Sequence, residues 1–176
     1  ANYVEPREST RLTLFRQVAD RAAAQAEQDP DDCQAHYWHA YALGRYSQGV
    51  SVAKALALGL GGKDKGALER VIELQPGHAG AHFALGAFHA EVTDKVGELV
   101  GRMTYGAQHA LSLRRFQEAL LLNPSSVIGK IEYASALLML EGEKRMEEAT
   151  RLYEAAAATE PLDALEHLGV ELAQME

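Results

Sequence analysis

The sequence predicts an all-α fold, and three observations carry the prediction. Alanine and leucine dominate a chain of 176 residues in which aromatic residues make up only 7%, and these two have the most favourable helix propensities. Apolar residues recur at i, i+3 and i+4 in the clearest segments, which is the period of a helix with one buried stripe. Four prolines, Pro30, Pro76, Pro124 and Pro161, follow similar segment ends, "EQDP", "ELQP", "LLNP" and "ATEP".

In chain order, a first helix is expected from about Arg11 to Gln28, ending before Pro30. After each proline a new helix is expected: "CQAHYWHAYALGRY", "AGAHFALGAFHAEV", "IGKIEYASALLML" and "LDALEHLGVELAQ". Before the third and fourth prolines run "LRRFQEALLLNP", with Phe116, Ala119 and Leu120 on one face, and "KRMEEATRLYEAAAATEP", with Met146, Ala149, Leu152, Tyr153 and Ala156. Proline ends a helix because it lacks an N–H and disfavours helical geometry in the residue before it. The prolines are roughly 46, 48 and 37 residues apart, the range in which a repeat array is expected.

The unit this implies resembles the tetratricopeptide repeat family. The resemblance rests on Leu85, Gly86, Phe116, Ala119 and Pro124 in the middle unit and on Ala149, Tyr153, Ala156 and Pro161 in the last. These fall at the family's small, large and proline positions, and the likeness covers about residues 10 to 176. It implies an α-α superhelix, a solenoid in one domain: a half unit at 10–30, units at 31–76, 77–124 and 125–161, and a capping helix at 162–176. The capping helix carries Leu165, Leu168, Leu172 and Met175 on one stripe. The family unit is about 34 residues long, so the two middle units carry extra residues, and His36, His82 and His89 stand where the family usually has Trp or Tyr. The segment "LGRY" and the extra residues after it are similar to a subfamily that includes the T-component of periplasmic solute transporters and the microtubule-dynamics regulators.

Alignment on the prolines puts both insertions between the first and second helix of a unit, at about Ser47 to Lys63 and Thr93 to Gly106. Each holds apolar residues, Val50, Val52, Leu56, Leu58 and Leu60 in one and Val96, Leu99, Val100 and Met103 in the other. These are expected to be buried, in extra helical turns ended by Gly59, Gly61, Gly62 and Gly106. The glycine-rich stretch "GLGGKDKG" fails as a phosphate loop, because Gly62-Lys63 is followed by Asp64 rather than Ser or Thr and the position five before Gly62 is Ala57. It also fails as a dinucleotide fingerprint, which would need glycine at Asp64. The expected role of Asp64 is to cap the helix "KGALERVIEL".

The resemblance places the groove-lining positions at Tyr37, Tyr41 and Arg45, at Phe83, Ala87 and Glu91, and at Ile131, Ser135 and Met139. The i, i+4, i+8 spacing puts each trio on one helix face. The leading expectation is a non-enzymatic interaction module that holds a peptide or partner segment in a concave groove. One alternative is a small-ligand carrier whose insertions close a pocket. Another is a structural or homo-oligomerising domain, and the insertions could instead fill the groove and make these residues core.

A net charge of -8 repels phosphate backbones and anionic membranes, which argues against nucleic acid as a partner. No apolar run is long enough to insert in a membrane. Cys33 is the only cysteine, so neither an internal disulfide nor a cysteine-based zinc site is expected. No cofactor, metal or catalytic motif is expected either, and His36, His39, His82 and His89 read as core histidines hydrogen-bonded between helices. One thiol fits the cytoplasm, with the periplasm as the alternative. The start "ANYVEPREST" without Met fits a trimmed chain, a mature form or loss of the initiator.

Overall fold

The structure, a computed structural model, describes residues 5–175. Among the described residues every regular element is helical: α1 (Glu8–Gln28), α2 (Cys33–Gln48), α3 (Val52–Ala57), α4 (Leu60–Leu74), α5 (Ala79–Val96), α6 (Glu98–Tyr105), α7 (His109–Leu122), α8 (Val127–Glu141), a 3₁₀ turn (Gly142–Arg145), α9 (Met146–Ala157) and α10 (Ala164–Ala173). The all-α expectation holds. None of these helices is long and apolar enough to cross a membrane. Contacts divide the chain into two compact units, one ending at Ala81 and the other beginning at His82, within the first turn of α5.

One turn geometry recurs at the prolines. At the ends of α1, α4 and α7 the last carbonyls are met by the N–H of an extended C-cap residue. Asp29 N–H donates to Gln25 O at 2.9 Å, Gln75 N–H to Val71 O at 2.8 Å and Asn123 N–H to Ala119 O at 2.8 Å. These residues precede the prolines and have φ of -131°, -140° and -140°, the extended conformation that a following proline favours. Two residues after each proline stands the next N-cap. Asp32 Oδ1 accepts from Ala35 N–H at 2.9 Å, His78 Nδ1 from Ala81 N–H at 3.1 Å, and Ser126 Oγ from Gly129 N–H at 3.1 Å. The fourth proline obeys the same rule, with Asp163 Oδ1 accepting from Glu166 N–H at 2.8 Å. Each cap satisfies one of the backbone donors that a helix start leaves unpaired.

In the first unit α1 packs on α2, α2 on α4, and α3 on α4. Phe15, Ala19, Ala42, Leu43, Tyr46 and Leu60 form the core, with Leu12, Tyr41, Val50 and Ala55 packed against it. α1 starts at Glu8, about one turn before the expected Arg11.

In the second unit Ser112 on α7 is fully buried and its hydroxyl donates to Gly86 O on α5 at 2.8 Å. A Cβ at Gly86 would sit 2.8 Å from the Phe116 ring, so the missing side chain is what lets α7 come this close. The Phe116 ring stacks on Tyr133 of α8, with centroids 5.1 Å apart and planes 14° apart. Burying Phe116 completely is worth about 1.5–3 kcal/mol. α8, α9 and α10 share a further cluster of Val127, Ile131, Ala156, Val170 and Ala173.

Three local expectations are corrected. Asp64 does not cap α4: the helix begins at Leu60, after Gly59 in the left-handed region at φ 62°. Leu60 is 1% exposed, and anchoring it in the core draws Gly61 and Gly62 into the first turn instead of leaving them as helix stops. Gly59 and Gly106, the latter at φ 65°, do end or separate helices as expected. The apolar residues of the insertions are largely not buried either. Val52, Leu56 and Leu58 are 38–46% exposed and Leu99, Val100 and Met103 52–79% exposed, because α3 and α6 are short helices that turn only a narrow edge inward. On α10 the inward face is Val170 and Ala173 with Leu172. Leu168 is only half-buried, Met175 is exposed, and the Leu165 side chain lies outside the described residues.

Candidate functional site

The aromatic residues of α2 form a ladder. Asp32 fixes the start of the helix, and from there Tyr37, Trp38 and Tyr41 follow at one- and three-residue steps on adjoining faces. The Tyr37 and Trp38 ring centroids are 5.6 Å apart, those of Trp38 and Tyr41 5.7 Å apart edge to face, and those of Tyr37 and Tyr41 6.3 Å apart. One helical turn further on, the Arg45 guanidinium lies 5.4 Å from the centre of the Tyr41 ring and donates to Gln48 Oε1 at 3.1 Å. A cation over a ring face is attracted by the negative centre of the π system.

The base of the ladder is fixed by the turn that follows α4. The His78 ring lies 4.5 Å from the Tyr37 ring, centroid to centroid, while its Nδ1 caps α5. A Cβ at Gly80 would fall 2.8 Å from Tyr37 Oη, so the glycine leaves room for the phenol. Burial pushes the Tyr37 phenol above its ordinary value, Tyr41 adds to the rise and Arg45 partly offsets it. Tyr37 is therefore a fixed neutral hydroxyl at physiological pH. Trp38 is the opposite case. It is 48% exposed, so a large rigid ring held on both sides by tyrosines faces solvent.

The expected site residues fall into distinct environments. Tyr37, Tyr41 and Arg45 come together on α2, all half-buried. Phe83 and Ile131 are buried at 9% and 6% exposure. Phe83 packs on Phe116, with ring centroids 6.3 Å apart, and Ile131 joins the α8–α9–α10 cluster. Ala87 and Glu91 are half-buried on α5, and Lys95 Nζ donates to Glu91 Oε2 at 3.2 Å. Ser135 is half-buried, with its hydroxyl 3.0 Å from Tyr153 Oη, and Met139 is 42% exposed. Two residues of the ladder were not among the expected site residues. Trp38 is one position off the i, i+4 stripe, and His78 gives no helix-face signal because it lies in a turn.

Of the four histidines read as core residues, His82 and His89 are buried and His36 and His39 only half-buried; His36, His39 and His82 make hydrogen bonds beyond their own helix. His39 Nδ1 donates to Ala19 O of α1 at 2.9 Å. His36 Nε2 reaches Pro30 O at 3.0 Å. In the second unit Arg115 donates to His82 Nδ1 at 3.3 Å and to Glu118 at 2.9 Å. Among the described residues no group of three His, Cys, Asp or Glu side chains is placed to hold a metal ion. Cys33 Sγ lies 3.7 Å from Gln75 Oε1 and 3.9 Å from Val71 O, and burial raises its thiol pKa, with Asp32 adding to the rise. That is the reverse of what an activated thiol needs.

The second unit carries a polar chain of its own. Arg145 pairs with Glu141 at 2.7 Å and with Glu148, and His109 Nε2 lies 2.9 Å from Glu141. Tyr133 Oη donates to Glu148 at 3.4 Å. These groups join the start of α7, the end of α8 and the start of α9. Both carboxylates, Glu141 and Glu148, are met by Arg145 of the same chain, the pattern of a structural clasp rather than a binding centre. No protein-family model matches the chain, and comparison with curated proteins gives no match.

Proposed function

We propose that the chain is a tetratricopeptide-like repeat protein that works without catalysis, holding a peptide or partner segment against the aromatic ladder of α2. The observation that carries the reading is the Tyr37–Trp38–Tyr41 ladder beside Arg45, with Trp38 half exposed on a rigid helix. Tyr, Trp and Arg are the residues that dominate binding energy at protein interfaces, because they give large contact area at low entropic cost. The repeated proline-plus-two cap supports the repeat assignment, since one local rule builds each helix–turn–helix connection. Phe83 and Ile131 are taken up by packing, so the binding residues of the proposal come chiefly from α2.

The test is selection from a displayed random peptide library against the wild-type chain and against the double variant Trp38→Ala/Tyr41→Ala. Enrichment of a shared motif on the wild type only, with affinity lost by roughly tenfold or more in the variant, supports the reading. Equal enrichment on both proteins, or none on the wild type, contradicts it.

A further inference from the structure

We propose a second interaction surface, on α3 and the first turn of α4, that takes an acidic segment of a partner protein carrying apolar side chains. It is separate from the α2 ladder and does not depend on it. The chain is acidic as a whole, yet between Asp32 and Glu69 its only carboxylate is Asp64, against Arg45, Lys54, Lys63 and Lys65. Lys65 is paired with Glu69 at 2.6 Å. Lys54 and Lys63 are exposed and have no ion-pair partner among the described residues; Lys54 Nζ lies only over the Tyr46 ring, 5.8 Å from its centre.

Along the α3 stretch that carries Lys54, the other large exposed side chains are apolar. Val52 and Leu56 on α3 and Leu58 just after it are 41%, 46% and 38% exposed; α3 packs on α4 and turns Ala55 towards the core. Exposed aliphatic side chains on and just after α3, together with the Lys54 ammonium on that helix and the Lys63 ammonium on the first turn of α4 packed against it, match a segment that alternates carboxylates with apolar residues. The apolar contacts supply affinity and the charges supply selection.

An anionic membrane is the poorer match for a physical reason. Charges are screened beyond about 10 Å at ordinary ionic strength. A short peptide laid on α3 therefore senses only nearby charges, the Lys54 and Lys63 ammonium groups against the Asp64 carboxylate and the mutually paired Arg16 and Asp20, whereas an extended anionic surface also meets the acid carried by the rest of the chain.

The experiment uses three labelled synthetic peptides of equal length, alternating Leu with Glu, Gln or Lys, followed by fluorescence anisotropy with the whole chain at low and high salt. The Glu peptide should bind, more weakly as salt rises, and the Gln and Lys peptides should bind at least tenfold more weakly. Lys54→Glu/Lys63→Glu should weaken the Glu peptide by roughly tenfold, and Leu56→Gln should weaken it without changing the salt dependence. Trp38→Ala should leave it unchanged, which separates this surface from the α2 reading. All four positions are exposed, and circular dichroism confirms that the variants fold. The proposal is overturned if the Glu peptide binds no better than the Gln peptide, or if the double reversal has no effect. It is also overturned if vesicles of phosphatidylserine and phosphatidylcholine bind through the two lysines while the peptide does not, or if light scattering shows that they instead hold a second copy of the chain.

Discussion

The ring of Phe83 meets the backbone of Gly129 end on: a Cβ built at Gly129 would lie 2.2 Å from Phe83 Cζ. No side chain fits there unless the buried Phe83 ring, or the helices that hold it against Gly129, shift. Gly129→Ala should therefore destabilise the second unit by up to about 2 kcal/mol, the overpacking cost of about 1–3 kcal/mol less the gain of about 1 kcal/mol in helix propensity. Gly66 in α4 is the control. Nothing lies within 4 Å of its would-be Cβ, so Gly66→Ala should stabilise the chain by about 0.5–1 kcal/mol. Urea denaturation of the two variants gives both signs in one experiment.

His78 has two roles that substitution can separate. Its Nδ1 caps α5 and its ring supports Tyr37. His78→Ala should cost about 1 kcal/mol through loss of the cap. His78→Asn should recover most of that stability, since Asn caps well, without restoring the ring contact. Thermal melts of both variants, with peptide affinity measured alongside, should show stability recovered and affinity still reduced in the Asn variant.

The α7–α8–α9 clasp makes a pH prediction. The Arg145 guanidinium, the largest influence, holds the Glu141 carboxyl below its ordinary value of 4.5. At Glu118 burial pushes the pKa up, but Arg114 and Arg115 outweigh it, so the net shift is also downward. A carboxylate whose pKa is lower in the folded state stabilises the fold above its ordinary value. It loses that contribution as pH falls through the folded-state value. Stability should accordingly be level near neutrality and fall below about pH 4.5. Glu141→Gln should be less stable at neutral pH and fall less steeply on acidification. Denaturation midpoints compared between neutral pH and about pH 3.5 would show this.

Much of the fold was legible because its punctuation is local. The prolines fix the helix ends, and Asp32, Ser126 and Asp163, each two residues later, are recognisable N-caps. His78 occupies the same position but looks like no cap. α4 was misplaced because the burial of Leu60 outweighs the poor helix propensity of Gly61 and Gly62, and a tertiary contact of that kind leaves no local mark. The exposed faces of α3 and α6 were unreadable for the opposite reason, since an apolar stripe in the sequence does not say whether another element covers it. Within the site, the positions implied by the family resemblance, each trio on one helix face by its i, i+4, i+8 spacing, included Tyr37, Tyr41 and Arg45. The same carry-over also selected Phe83 and Ile131, which the core takes up. Periodicity marks a helix face; it does not tell a binding face from a packing one.

The central claim is that a partner segment rests on the α2 ladder, and Trp38 reports on it directly as the only tryptophan in the chain. The measurement is Trp38 emission and its quenching by acrylamide as a library-selected peptide is added. The account predicts a blue shift and shielding from acrylamide, both lost in Tyr41→Ala. A peptide that binds the wild type and leaves Trp38 emission and quenching unchanged would contradict it.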